Sequence, residues 1–202
     1  AVLVHYSTDY VFDGAKDGPY IETDSPRPLN IYGASKLEGE KAIIESGCRS
    51  LVLRTSWVYG LHGQNFPLPM LRLLRERQQV NVVADQIGAP TSSRMIAEAT
   101  AQILRQQQFQ PGLFHLTASG HTSWHGFAKL ISEYVQAPVA RIVPISAREY
   151  PAAAARPANS RRDCAKRVSC FRLSLPHWEV EARGILQKLH DKSSQSVGGL
   201  RL

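Results

Sequence analysis

Short apolar runs alternate with segments of helical pattern along most of this 202-residue chain. The strand-like runs lie at residues 2–6, 50–55, 80–83, 112–117 and 142–145. The helix-like segments lie at about 32–46, 66–77, 92–106 and 123–135. Strands that alternate with helices form parallel sheets whose faces the helices cover. The predicted fold class is therefore α/β, with a partial doubly wound parallel sheet and a small C-terminal lobe.

Composition narrows the class of protein further. Hydrophobic residues make up 43% and charged residues 20% of the chain, which is ordinary for a soluble globular protein. No apolar run approaches the ~18 residues that a membrane span needs, so no membrane association is predicted. Cys48, Cys164 and Cys170 share no metal-binding spacing and are odd in number. Reduced thiols and a cytoplasmic location are the prediction.

The formal net charge of +7 suits an anionic partner, which could be nucleic acid, an anionic membrane or a small anionic substrate. Much of the positive charge lies in one C-terminal segment, at Arg156, Arg161, Arg162, Lys166 and Arg167. These side chains could form a solvated basic face, or Arg94 and the arginines from 156 to 161 could contact substrate phosphates. No aromatic stacking platform accompanies them, so nucleic acid is not a predicted partner.

The most specific pattern is a tyrosine followed four residues later by a lysine, Tyr32 and Lys36, in the predicted helix 32–46. Residues four apart lie on one face of a helix, so a phenol and an ammonium can converge there. A phenol ordinarily ionises near pH ~10, and a cation held beside it favours the phenolate. Such a pair can exchange protons near neutral pH, although a chance pair on a solvated face has the same spacing.

Two polar segments directly follow predicted strands. Thr8 and Asp9 come after the first strand, at the end of a parallel sheet where ligands bind. A hydroxyl there can stabilise a developing alkoxide. Trp57 comes after strand 50–55 and offers a flat apolar face to a sugar ring. A strand-ending turn and a core tryptophan are the simpler explanations of these residues.

Taken together, these residues resemble the extended short-chain dehydrogenase/reductases, and among them the dTDP-4-dehydrorhamnose reductases. The matching stretches follow the family's order across nearly the whole chain, at residues 7–14, 30–40, 54–60, 85–91, 156–160 and 175–178. The resemblance implies that residues 1–120 are the C-terminal part of a Rossmann-like NAD(P)-binding domain, including the catalytic helix, with substrate-lobe insertions around 61–95. Residues 121–192 would form mainly a substrate-binding lobe. The Ser- and Gly-rich residues 193–202 are predicted to be a flexible tail.

The same resemblance implies a reaction, the NAD(P)H-dependent reduction of the 4-keto group of dTDP-4-dehydro-6-deoxy-L-mannose to dTDP-L-rhamnose. Tyr32 would donate the proton to the keto oxygen, and Lys36 would hold the nicotinamide ribose, so that both residues bind the cofactor. Thr8 would be the catalytic hydroxyl, Thr8 and Asp9 would bind the substrate, and Trp57 would line the sugar pocket. The expected cofactor is NADPH or NADH, the expected partner is a dTDP-sugar, and a homodimer is compatible with this assignment.

The match to the family is incomplete at the front. The family begins with a strand, a Gly-x-x-Gly-x-x-Gly turn and a helix that holds the pyrophosphate, and no glycines of this chain have that spacing. We therefore interpret the chain as a C-terminal portion without the dinucleotide-binding half, and we expect it to be weakly active or inactive alone. Arg162 stands where the family has an apolar residue and Arg172 where it has glycine. Both are expected to weaken the C-terminal lobe.

Two other functions remain open. A nucleotide-sugar epimerase or dehydratase would need a further acid or base near Tyr32, and Asp9 without a neighbouring glutamate favours the reductase. A non-catalytic regulatory subunit would have the same framework. The presence of Thr8, Tyr32 and Lys36 argues against that alternative.

No metal-ligand set is predicted from the spacing of His, Cys, Asp and Glu. Because some relatives are associated with Mg²⁺, Glu38, Glu40 and Glu98 could contact that ion at a dimer interface. Solvated helix faces are the simpler explanation of these glutamates.

Overall fold

The computed structural model describes residues 1–107, 109–135 and 139–198, with 192–198 described by their backbone alone. The strands are β1 Leu3–Thr8, β2 Ser50–Thr55, β3 Val58–Tyr59, β4 Gln79–Val83, β5 Ile87–Gly88, β6 Thr91–Ser92, β7 Gly112–His115, β8 Thr122–Ser123 and β9 Arg141–Ile145. The helices are α1 Ile31–Glu45, α2 Pro67–Glu76, α3 Ser93–Leu104, α4 Trp124–Ser132, α5 Ala165–Phe171 and α6 Trp178–Gly198. No helix within these residues is long and apolar enough to cross a membrane.

The central sheet has three parallel strands in the order β1-β2-β7. Helix α1 is the crossover from β1 to β2, as parallel neighbours require. Smaller pairs surround this sheet: β3 with β6 and β4 with β9 are parallel, and β5 with β8 is antiparallel. The predicted α/β class with parallel strands is confirmed.

The two faces of β2 have different neighbours because successive side chains of a strand point to opposite sides. Leu51 and Leu53 belong to the main hydrophobic core, together with Phe114 of β7. Arg54 points to the other face and pairs with Glu40 of α1. The core also contains Leu71, Leu74, Phe127 and Trp178, so helices α2, α4 and α6 cover the Leu51 face.

Helix α1 packs on the sheet without an apolar stripe. Its buried residues are Gly33 and Glu40, whereas Ile31 is 88% and Ile44 is 60% exposed. The helix ends at Glu45, and Gly47 follows with a φ of 65°, a left-handed conformation that glycine adopts at little cost. Sequence pattern predicted the bounds of this helix well, but it did not predict which residues the helix buries.

The C-terminal lobe differs most from the prediction. Helices α5 and α6 were not predicted, and α6 continues through residues 193–198 of the segment that was assigned to a flexible tail. Arg162 and Arg167 are largely buried, so a solvated basic face is wrong for these two. Arg167 donates from Nη1 to the Thr117 carbonyl and from Nε to the Leu173 carbonyl, each at 3.2 Å. The Thr117 carbonyl is 50 residues away in the sequence, and sequence pattern could not reveal such an acceptor.

The structure explains the departure at Arg172. This residue ends α5 with a φ of 51°, in the left-handed region that costs an L-residue with a side chain roughly 1 kcal/mol relative to glycine. Glycine, which the resemblance implies at this position, would adopt the conformation without that cost. The weakening expected at Arg172 stays a prediction, and its cause would be the backbone conformation.

Candidate active site

Helix α1 begins at a capping asparagine that also joins two parts of the molecule. Asn30 Oδ1 accepts a hydrogen bond from the Gly33 N–H at 2.8 Å, the interaction by which N-cap residues start helices. Its Nδ2 donates to the Ala155 carbonyl at 2.8 Å. The first turn, which carries Tyr32, is thereby tied to the segment just before Arg156.

Gly33 lets α1 lie directly against the chain that follows β1. A Cβ atom on this residue would overlap the Tyr10 carbonyl oxygen and would lie 3.0 Å from Pro28 Cβ. Because the backbones approach so closely, the ring of Tyr32 reaches that of Tyr10, with centroids 5.6 Å apart and planes at 76°. The catalytic helix predicted from sequence is thus packed against the 3-10 turn Asp9–Val11.

Thr8 and Asp9 are buried at the end of β1, 5% and 3% exposed. Thr8 Oγ1 accepts from the Tyr10 N–H at 3.2 Å and donates to Asp9 Oδ1 at 3.2 Å. The other oxygen of the carboxylate, Oδ2, accepts from Ser160 Oγ at 2.5 Å. The predicted substrate-binding pair is therefore held by a hydrogen-bond network that reaches across the sequence to the C-terminal lobe.

Burial sets the electrostatics of this network. It raises the pKa of Asp9 above the ordinary value, while Arg162 and the hydroxyls of Ser160 and Thr8 act in the opposite direction. It also lowers the pKa of Arg162 to about 10, against the attraction of Asp9. The pKa of Tyr10 is raised by burial and by the charge of Asp9. A buried acid and a buried base thus stabilise each other's charged forms.

Tyr32 and Lys36 present their side chains outward. Tyr32 is 54% exposed, and Lys36 is half-buried on the next turn. Lys36 lies near His5 of β1, where burial, and then the charge of Lys36, lower the pKa of His5. Among the side chains that the structure describes, neither Tyr32 nor Lys36 has a polar partner, and neither contacts Thr8 directly. Tyr32 is brought to the Thr8 segment through Tyr10.

Trp57 stands in a second cluster. Its backbone is left-handed, with a φ of 48°, and its indole stacks on that of Trp124, with centroids 3.6 Å apart and planes at 8°. The edge of the indole lies over Gly88, which leaves no room for a side chain there. Trp124 was not predicted as a site residue. Its only signal in the sequence is that it is a second tryptophan directly after Ser123, the residue that caps α4.

A cavity of about 310 Å³ lies on the Trp124 side of the stack, and its lining includes none of the predicted site residues Thr8, Asp9, Tyr32, Lys36 and Trp57. Trp124 lines it and carries the stack with Trp57, and Arg156 lines it next to the segment that Asn30 holds. The charge of Arg156 also reaches Tyr10, whose pKa it lowers against the larger effect of burial. Other lining residues include Phe66, Gln86 and Tyr150, which the sequence did not single out.

The structure does not support the magnesium prediction. Glu40 forms a buried ion pair with Arg54, Glu38 pairs with Lys41, and Glu98 pairs with Arg94. Each glutamate is therefore already paired with a lysine or arginine side chain. Within the described part of the chain, no three His, Cys, Asp or Glu side chains are grouped so that they could hold a metal ion.

A parallel sheet whose first strand ends in a buried hydroxyl, and whose first crossover helix carries a tyrosine and a lysine one turn apart, defines a Rossmann-like α/β domain. The chain belongs to the family described as the RmlD substrate binding domain, whose model matches residues 1–191.

Named relatives agree with this assignment. The chain is 47% identical over 191 residues to a dTDP-4-dehydrorhamnose reductase of Burkholderia thailandensis, covering 88% of this chain and 64% of that protein. It is 44% identical over 197 residues to the dTDP-4-dehydrorhamnose reductase of Escherichia coli K12, covering 94% and 66%. A crystal structure of dTDP-4-dehydrorhamnose reductase from Bacillus anthracis in complex with NADP has a TM-score of 0.84 and 39% identity, covering 93% and 66%. The chain thus spans about two thirds of the length of these relatives, and the resemblance seen in its sequence is confirmed.

Proposed function

We propose that this chain provides the substrate-binding and proton-donating part of a dTDP-4-dehydrorhamnose reductase. The reaction is the reduction of the 4-keto group of dTDP-4-dehydro-6-deoxy-L-mannose to dTDP-L-rhamnose with NADPH or NADH. The observation that carries the proposal is the contact at Gly33, which packs the helix of Tyr32 and Lys36 against the Thr8–Tyr10 segment. The names of the relatives supply the substrate class.

The residues at this contact have complementary roles in the proposal. Tyr32, exposed and without a polar partner among the described side chains, would donate its proton to the keto oxygen as that oxygen gains negative charge. Thr8 donates its hydroxyl proton to Asp9 Oδ1, and it would turn this hydroxyl toward the keto oxygen to stabilise the developing charge. Lys36, one turn further along α1, would hold the ribose of the cofactor.

The cofactor fits these residues only in part. A reduced nicotinamide, when bound, supplies a hydride to the carbonyl carbon. Lys36 is placed to hold a ribose, but no glycines of this sequence have the spacing of a pyrophosphate-binding turn.

The cavity lined by Trp124 and Arg156 suits the rest of the substrate. Its volume of about 310 Å³ lies at the lower end of ligand pockets, which run from about 300 to 1,000 Å³. The stacked Trp57 and Trp124 offer an apolar edge to a sugar ring. Arg156, which lines the same cavity, can pair with diphosphate oxygens.

The substrate half of the proposal predicts that the chain binds dTDP-L-rhamnose. Saturation-transfer NMR and calorimetry should detect binding by the wild type, and Arg156→Ala should weaken it about ten-fold or more because a charged hydrogen bond contributes roughly 1.5–3 kcal/mol. Arg148→Ala is the matched control, since Arg148 is an exposed arginine on the neighbouring 3-10 turn Ala147–Glu149. A folded wild type that does not bind dTDP-L-rhamnose would rule the proposal out.

For the cofactor, by contrast, the proposal predicts weak binding. The chain alone is expected to bind NADPH more weakly than micromolar and to consume little or none with the keto sugar, because it has no glycine-rich turn. A fluorescence titration of NADPH measures the affinity. Micromolar binding by these 202 residues would show that the interpretation of the front half is wrong.

A further inference from the structure

Two arginines lie over the ring of one buried phenylalanine beside the site. The guanidinium carbons of Arg54 and Arg162 are 4.9 and 4.6 Å from the ring centre of Phe12, which is fully buried. Arg54 is neutralised by Glu40 at 2.6 Å. Arg162 has no carboxylate within ion-pair distance among the described residues, so its burial must be compensated in another way.

Apart from a hydrogen bond from Nη1 to the neighbouring Arg161 carbonyl, the contacts of Arg162 lead to the segment that carries the site. Its Nη2 donates to the Asp9 carbonyl at 2.9 Å, and its guanidinium lies 5.2 Å from the ring centre of Tyr20. The backbones of Tyr20 and Arg162 are joined as a parallel bridge. Among the described atoms, Nε of Arg162 has no acceptor. Arg162 is thus a buried cation, and the acid whose charge stabilises it most is Asp9.

We propose that Arg162 is a positioning residue, which holds the Asp9 carbonyl with its guanidinium and faces the Asp9 carboxylate with its charge, so that Thr8 and Asp9 are kept ready for substrate. This inference rests on the proposed function, which gives Thr8 and Asp9 their role in binding. Arg162 does not touch the substrate in this proposal and acts through Asp9.

The ionisation of Asp9 decides how the Thr8 hydroxyl is oriented. As a carboxylate, Asp9 accepts one hydrogen bond from Thr8 and one from Ser160. A protonated Asp9 would have to donate from one of these two oxygens, and one hydroxyl would have to turn. Burial raises the pKa of Asp9, and Arg162 is the foremost opposing influence. Loss of the guanidinium should therefore raise this pKa further.

The other titratable groups that face Asp9 or Arg162 are Tyr10, Tyr20, Glu40, Arg54, His115 and Cys164. Burial and the charges of Arg162 and Arg54 lower the pKa of His115 to about 3, so its imidazole is neutral around neutral pH. The Arg54 charge is compensated by Glu40. None of these groups is removed by a substitution at Arg162.

The test is the titration of Asp9 in the whole chain, followed by NMR of the ¹³C-labelled aspartate carboxyls. Arg162→Met keeps a long apolar side chain against Phe12 but removes the charge, and it should raise the pKa of Asp9 by about one to three pH units. The acid limb of dTDP-L-rhamnose affinity should move to higher pH by the same amount. Arg162→Lys keeps the charge and should restore most of both quantities.

Arg161→Met is the matched control, because Arg161 is the neighbouring cation and bonds to Asn159 and the Asp17 carbonyl instead of Asp9. It should leave the Asp9 titration unchanged. If Arg162→Met does not fold, Arg162→Gln removes the charge while it retains a donor and gives the same comparison. If Asp9 has the same pKa in the wild type as in Arg162→Met or Arg162→Gln, the inference is overturned. A shifted titration in a chain that binds no dTDP-L-rhamnose overturns the proposed function and supports the coupling of Arg162 to Asp9.

Discussion

Replacement of Glu40 by glutamine is expected to lower the free energy of unfolding by about 3–5 kcal/mol. Glu40 and Arg54 have side chains only 2% and 3% exposed, and three hydrogen bonds of 2.6, 2.9 and 3.2 Å join them. Glutamine preserves the shape of the side chain but leaves the guanidinium of Arg54 as a buried charge without a counter-charge. Such a loss is a large part of the roughly 5–15 kcal/mol that stabilises a typical domain. Urea unfolding followed by circular dichroism measures it.

Two further variants separate charge from packing. Glu38→Gln removes a carboxylate from the same helix, but its pair with Lys41 is exposed, so the unfolding midpoint should not change measurably. The double variant Glu40→Met, Arg54→Met removes both buried charges and should recover much of the stability, since apolar side chains can replace a buried pair at little cost. A Glu40→Gln variant as stable as Glu38→Gln would mean that water reaches Arg54 and that the pair is not buried in solution.

Local sequence signals were sufficient to predict strands and the crossover helix of the central sheet. The strand predicted at residues 50–55 has the same bounds in the structure, and the predicted helix 32–46 is found at Ile31–Glu45. Apolar runs and capping residues are encoded within a few positions, which is why they can be read directly. The missed helices α5 and α6 lie where charged and small residues interrupt the helical pattern, and their stability comes from packing against the core.

The contacts of the site were much less predictable than its chemistry. Tyr32, Lys36 and Thr8 were recognisable as residue types in a family order, but no local pattern indicated that Tyr10 would connect Tyr32 with Thr8. Glu40 was interpreted as a residue of a solvated helix face, with contact to Mg²⁺ as the alternative, but it forms a buried ion pair with Arg54. Arg162 was expected to weaken packing, but its guanidinium donates to the Asp9 carbonyl. An ionisable residue is buried or solvated according to partners that are far away in sequence, and no local pattern reports those partners.

A single methyl group on Gly33 is expected to disrupt both the fold and the site. In Gly33→Ala the Cβ would overlap the Tyr10 carbonyl oxygen and lie 2.9 Å from the Tyr10 carbonyl carbon. Because both partners are backbone, α1 must move away from the Thr8–Tyr10 segment, and overpacking of this kind costs about 1–3 kcal/mol, occasionally more. The contact between the rings of Tyr32 and Tyr10 would be lost with the shift. Affinity for dTDP-L-rhamnose should fall more than stability alone explains.

Gly39→Ala on the same helix is the matched control. A Cβ there would lie 3.7 Å from the ring atoms of His5, an ordinary van der Waals contact. Alanine is favoured over glycine inside a helix by roughly 1 kcal/mol, so Gly39→Ala should raise the urea midpoint while Gly33→Ala lowers it. Both variants would be compared by unfolding and by calorimetry with dTDP-L-rhamnose. If the two alanines shift stability in the same direction, α1 does not touch the Tyr10 backbone, and the contact that carries the proposed function is absent.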